Sequence, residues 1–162
     1  MIEEQLKVLK AMSEVTSRID MNGFAQMVSL NLNQTIEHMQ ELVNAGLIKK
    51  VGSGYGITEK GRTLLKAITP VPKDMAFHFY MTLGQPTGFS AESLKDFYEI
   101  VKRVTVESLE FHLYREDFEN WIKAVFKDAA LADALANLRG SQLKGEDLRQ
   151  GILKAIAAKF DF

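Results

Sequence analysis

Apolar residues in the first part of the chain recur at the period of an amphipathic helix, and the recurrence breaks where helix-capping residues fall. Ile2, Leu6, Val8, Leu9 and Met12 lie at roughly helical spacing, with Glu3, Glu4, Lys7 and Lys10 between them, which predicts a first helix from Ile2 to Met12. Asp20 and Asn22 are suitable caps, and Phe24, Met27 and Val28 predict a short second helix. Leu30-Asn31-Leu32-Asn33 then supplies a turn and a new N-cap. The third helix lies within NQTIEHMQELVNAGLI. Its buried stripe reads as Ile36, Met39, Val43 and Leu47 with Leu42 beside it, and its open face as Gln34, Thr35, Glu37, His38 and Glu41. Gly46 ends it.

The next stretch, LIKKVGSGYGITEKG, changes period. Leu47 to Val51 predicts a short strand, Gly52-Ser53-Gly54 a turn, and Tyr55 to Ile57 the returning strand. Thr58 is a natural N-cap for the helix GRTLLKAI. The segment Thr69-Pro70-Val71-Pro72-Lys73 interrupts helical continuity, because proline lacks an N–H and pushes its predecessor toward extended geometry. A domain boundary is therefore expected there, dividing the chain into residues 1–69 and 70–162.

Beyond it, AFHFYMTL alternates Phe77, Phe79 and Met81 against His78, Tyr80 and Thr82, as an edge strand or the wall of a pocket would, and GQPTGFS reads as a turn. Ser90 is expected to cap a helix carrying Leu94, Phe97, Ile100, Val101 and Val104. In TVESLEFHLYREDFENWIKAVFKDAALADAL one broad helical face holds Leu109, Leu113, Phe118, Trp121, Ile122 and Val125. Ser108, His112, Arg115 and Glu119 form another, which reads as polar, with an Arg115–Glu119 ion pair one turn apart. Asp128 restarts a shorter helix, Arg139-Gly140-Ser141 breaks it, and a last helix carries Leu148, Ile152, Leu153 and Ile156. The expected fold is mainly α with a small β-hairpin wing: an N-terminal winged helix-turn-helix followed by an α-rich C-terminal domain.

Two stretches resemble known families. ELVNAGLIKKVGSGYGITEKGRTLL is similar to the run of helix, G-L-I, basic wing and I-T-x-K-G found in archaeal-type winged helix-turn-helix transcription regulators. That resemblance implies a third helix in the major groove of double-stranded DNA and a wing on the backbone beside it. Gln34, Thr35 and His38 would then face bases, while Lys49, Lys50, Tyr55, Lys60 and Arg62 would contact phosphates. The chain departs from the usual chemistry in one respect: the third helix carries Glu37 and Glu41, with no Lys or Arg between Asn33 and Ile48. DNA affinity is thus expected to be modest, wing-led and salt-sensitive. The second stretch, SLEFHLYREDFENWI, resembles a segment of an uncharacterised, mainly archaeal domain family with the pattern S-L-x-F-H-x-x-R-x-D-F-x-x-W-I.

Composition narrows the classes. With 46% hydrophobic and 25% charged residues the chain has the make-up of an ordinary globular protein. A net charge of -1 excludes coating of nucleic acid by bulk charge and leaves only a local patch. The absence of cysteine excludes disulfides, thiolate metal sites and cysteine nucleophiles, and fits a reducing compartment. Acidic residues in MIEEQLKVLKAMSE stand where a signal peptide is basic, and no stretch is apolar enough to span a membrane, so a cytoplasmic protein is expected.

No phosphate-binding loop, dinucleotide fingerprint, nucleophile elbow or H-E-x-x-H pattern is present, and an enzyme is not expected. His78 and His112 with a carboxylate are the one combination a metal could use; no metal or cofactor is expected. His112, Arg115 and Trp121 remain candidate ligand or interface residues. The expected function is a DNA-binding transcriptional regulator acting as a homodimer, with the second domain dimerising or sensing. The rivals are a protein–protein adaptor that uses the winged helix, and a small-molecule-binding protein whose ligand lies between AFHFYMTL and the His112/Arg115 face.

Overall fold

Single capping side chains write the helix starts of the N-terminal region. Asp20 accepts a hydrogen bond from the Gly23 N–H at 2.6 Å and opens α2 (Met21–Met27). Asn31 accepts from the Gln34 N–H at 2.8 Å while the Gln34 side chain accepts from the Asn31 N–H at 3.3 Å, a reciprocal capping box that opens α3 (Leu32–Asn44). The computed structural model describes residues 3–15, 20–160 and 162. Within it, α1 is Glu3–Glu14, so Ile2 of the expected first stripe lies outside the described residues.

The end of α3 follows from one glycine. Gly46 takes φ +75°, which lets the Leu47 N–H reach back to the Leu42 carbonyl and the Gly46 N–H to the Val43 carbonyl, both at 3.0 Å. Leu42 and Leu47 are both buried in the same cluster, the apolar contact that accompanies this motif. The chain then forms the hairpin β1 (Ile48–Val51) and β2 (Gly54–Ile57), antiparallel, with Ile48 opposite Ile57 and Lys50 opposite Tyr55. Thr58 opens α4 (Glu59–Ile68): its hydroxyl accepts from the Gly61 N–H at 3.1 Å and donates to the Gly46 carbonyl at 2.6 Å. Gly61 is required by space, because a Cβ there would lie 2.2 Å from the Leu47 carbonyl oxygen. Val8, Leu9, Phe24, Met39, Leu42 and Ile48 form the core of this region.

The chain divides into two compact units, Met1–Lys66 and Ala67–Phe162. The division falls inside α4, and the proline segment is tied into the second unit. There the Val71 N–H donates to the Glu92 carbonyl at 2.7 Å, and Val71 packs against the second core.

In the second unit a 3-10 turn (Lys73–Met75) leads into an antiparallel hairpin, β3 (Phe77–Thr82) and β4 (Gln85–Ala91). GQPTGFS is therefore a strand for most of its length. Pro86 and two register shifts hide its alternation. Phe77 and Phe79 of β3 are buried, whereas Met81 is exposed.

Ser93, not Ser90, caps α5 (Leu94–Val101), accepting from the Asp96 N–H at 3.0 Å; Ser90 lies in β4 opposite His78. Thr105 caps α6 (Val106–Tyr114) and Asp128 caps α8 (Ala129–Gly140). Between them Glu116 adopts φ +69° and breaks the expected long helix, so that α7 (Asp117–Trp121) and a π-turn (Ile122–Phe126) start afresh. A last helix, α9 (Gly145–Phe160), closes the unit. Its core is aromatic and aliphatic, with Phe79, Phe97, Phe118, Leu109, Ile122 and Ile152 all buried. The fold is mainly α with a small hairpin wing in the first unit and an α-rich second unit, as the pattern predicts. A second hairpin accompanies those helices.

Candidate functional site

On α3 the phase of the helix decides which side chains face out. Thr35, His38, Met39 and Leu42 are buried, spaced as one helical face, while Ile36 is 47% exposed. The expectation that Thr35 and His38 face bases is thereby corrected. Met39 and Leu42 anchor the face, and Thr35 and His38 fall on it, carrying polar groups that find partners nearby. The Thr35 hydroxyl donates to the Asn31 carbonyl at 2.9 Å, and His38 Nε2 lies 3.0 Å from the Glu4 carboxylate of α1. The Gln5 amide donates to Glu41, so one of the two helix carboxylates is occupied by α1. Gln34, Glu37 and Gln40 remain on the open face with Leu32 and Ile36.

The wing presents cations. Lys49 and Lys50 of β1 are exposed on alternate sides of the strand, Lys50 directly across from Tyr55, and Arg62 is exposed on α4. Lys49, Lys50 and Arg62 make no ion pair among the described residues. Lys60 is placed differently: its ammonium donates to the Ala45 carbonyl at 2.9 Å, where it satisfies a free carbonyl at the end of α3 and the negative end of that helix's dipole.

Residues 2–75 match the family model described as winged helix-turn-helix. The N-terminal unit is a winged helix-turn-helix domain. No curated protein and no solved structure gives a match to the chain. The winged helix brings together, of the residues named from sequence, Gln34 on the exposed start of α3 and Lys49, Lys50 and Tyr55 on the wing. It withdraws Thr35 and His38 into the core and holds Lys60 on a carbonyl. The exposed Leu32 and Ile36 were not legible as surface, because the apolar spacing of α3 fits two phases and only packing against α1 selects one.

The second unit contains a pocket of about 560 Å³ beside β3 and α6. His112 and Arg115 both line it, along with Phe77, Leu83, Phe111 and Asn120. The supposed polar face of α6 is in fact a clamp on β3. Ser108, fully buried, donates to the Tyr80 carbonyl at 2.7 Å, and one turn later His112 Nε2 accepts from the Tyr80 N–H at 2.8 Å.

The break at Glu116 swings Asp117 to His112 Nδ1 at 2.8 Å, a contact that an unbroken helix would forbid. Asp117 also meets Arg115 Nε at 3.3 Å, so the expected Arg115–Glu119 pair is replaced; Glu119 pairs with Arg139. Burial holds the His112 imidazole below its usual value of 6.5, against the opposing pull of the Asp117 hydrogen bond and charge. The ring is neutral, with its proton on Nδ1. Trp121 is outside the pocket: its indole N–H donates to the Met75 carbonyl at 2.8 Å, and the ring stacks on Phe97 in the core. Among the described residues no group of three or more His, Asp or Glu side chains is placed to hold a metal ion, and no helix is long and apolar enough to cross a membrane.

Proposed function

We propose that the protein is a DNA-binding transcriptional regulator in which the wing, more than the recognition helix, provides the affinity. The observation that carries this reading is the pairing of the winged helix-turn-helix match with unpaired wing cations: Lys49 and Lys50 stand exposed beside a recognition helix that has Gln34 at its open start and no basic residue. Phosphate contacts from such cations release counterions and make binding depend on salt, while the Gln34 amide, its oxygen held in the capping box, keeps its N–H groups to donate to base acceptors. The second unit serves as a dimerisation or sensing module, so that two weak winged helices reach two half-sites together. No catalysis is assigned to it. Fluorescence anisotropy with a mixed-sequence duplex at low salt tests the reading: saturable binding supports it, and no binding at any salt concentration refutes it.

One observation favours an adaptor instead. Met27, Leu32 and Ile36 are 44, 38 and 47% exposed on α2 and α3, an apolar surface that suits a protein partner better than a phosphate backbone. Indifference to DNA in the same experiment selects that reading.

A further inference from the structure

The pocket of the second unit combines apolar walls with one oriented cation. Arg115 is held from two sides. Its Nε meets Asp117 at 3.3 Å, and its guanidinium lies over the Phe111 ring at 4.7 Å. Its side chain is 46% exposed, and its two Nη groups have no partner among the described residues. A guanidinium fixed by an aromatic face and by Nε presents a preorganised pair of donors, the geometry that a carboxylate accepts through both oxygens.

Leu83 and Phe111 line the same space with no polar atoms of their own beyond the backbone. His78 is anchored through Nδ1 to Ser90 at 2.6 Å, and Asn120 also lines the pocket, so further polar groups stand beside Arg115. His112 cannot serve a bound molecule as a base. Its Nε2 lone pair is used by the Tyr80 N–H and its Nδ1 proton by Asp117, which argues for binding rather than chemistry. The charge balance sets the ligand class, because Asp117 already offsets most of the Arg115 charge and would repel a dianion, leaving a monoanion as the better fit.

We propose that this pocket binds small amphipathic carboxylates, with Arg115 taking the carboxylate and Leu83 and Phe111 covering the apolar body. The volume of about 560 Å³ lies in the range of pockets that enclose small ligands. The site does not depend on the DNA-binding reading, and its test uses no nucleic acid.

The test is titration of isotopically labelled full-length protein with octanoate and 3-phenylpropanoate, and with the matching uncharged amides, followed by amide chemical shifts. The acids are expected to shift Tyr80, Leu83, Gly84, Phe111 and Asn120 in a saturable way, and the amides to bind about tenfold or more weakly through loss of the charge-assisted bonds. Arg115→Gln should lose the acid by a similar factor. Arg115→Lys should fall between, because it keeps the charge without the fork. Leu83→Asp, at a position 76% exposed, should weaken both, the amides through the lost apolar contact and the acids further through charge repulsion. The proposal is overturned if neither acid shifts the pocket up to millimolar concentration, if acids and amides bind equally, or if Arg115→Gln binds the acids as the parent does.

Discussion

Each unit buries one histidine on a helix, and the two are used in opposite ways. His38, 8% exposed, meets the Glu4 carboxylate through Nε2, and that carboxylate belongs to a side chain 49% exposed; among the described residues its Nδ1 has no hydrogen bond, with Glu41 at 3.9 Å. His112, 3% exposed, has both nitrogens engaged, one by the backbone of β3 and one by Asp117. A partner on the backbone cannot move away, whereas an exposed glutamate can turn to water at little cost. The histidine of the second unit is therefore part of the fold, and that of the winged helix is a replaceable polar filler between α1 and α3.

The largest expected effect breaks the clamp on β3. His112→Ala should cost about 3 kcal/mol of unfolding free energy, from the cavity and from the Tyr80 N–H left without an acceptor. Urea unfolding reads the cost, and faster hydrogen exchange at the Tyr80 amide locates it. A loss below about 1 kcal/mol would remove the contrast with His38.

The pH dependence sharpens the same point. Because burial lowers the folded pKa of His112 below 6.5, the unfolded chain takes up a proton first as pH falls. The contribution of His112 to stability is whole above pH 6.5 and fades as pH drops through the folded value. Wild type compared with His112→Gln should show a stability difference that shrinks with falling pH, and a constant difference would contradict the neutral, clamped ring. His38→Gln, by comparison, should cost about 1 kcal/mol or less, since its partner can rehydrate. The smallest effect on folding is at Ile36: Ile36→Lys should stay within about 0.5 kcal/mol of the parent and strengthen duplex binding. A cost of several kcal/mol would place Ile36 in the core, where apolar spacing alone first put it.

The winged helix was legible because its signals are local. The caps at Asp20, Asn31 and Thr58, the C-terminal Gly46 and the glycine-tipped hairpin each act within a few residues. What failed was the phase of α3, where Thr35 and His38 are polar by type but buried by position; nothing in the helix itself tells that α1 will supply Glu4. The second unit was less legible because its decisive contacts are distant in sequence. Ser108 and His112 looked like a solvated face, and only β3 shows that they hold a strand's backbone. A continuous helix would carry Asp117 well round from His112, and Glu116, a glutamate rather than a glycine at a positive φ, gives no warning of the break. His112 and Arg115 do share a pocket, whereas Trp121, singled out with them, belongs to the core.

The central claim, that the wing leads contact with DNA, is tested most directly by the slope of log affinity against log salt concentration for wild type and for Lys49→Glu/Lys50→Glu. Each phosphate contact contributes roughly −0.9 to that slope, so the double variant should bind more weakly, with a slope smaller in magnitude by about 2. An unchanged affinity and slope would contradict the account and move the DNA contact away from the wing.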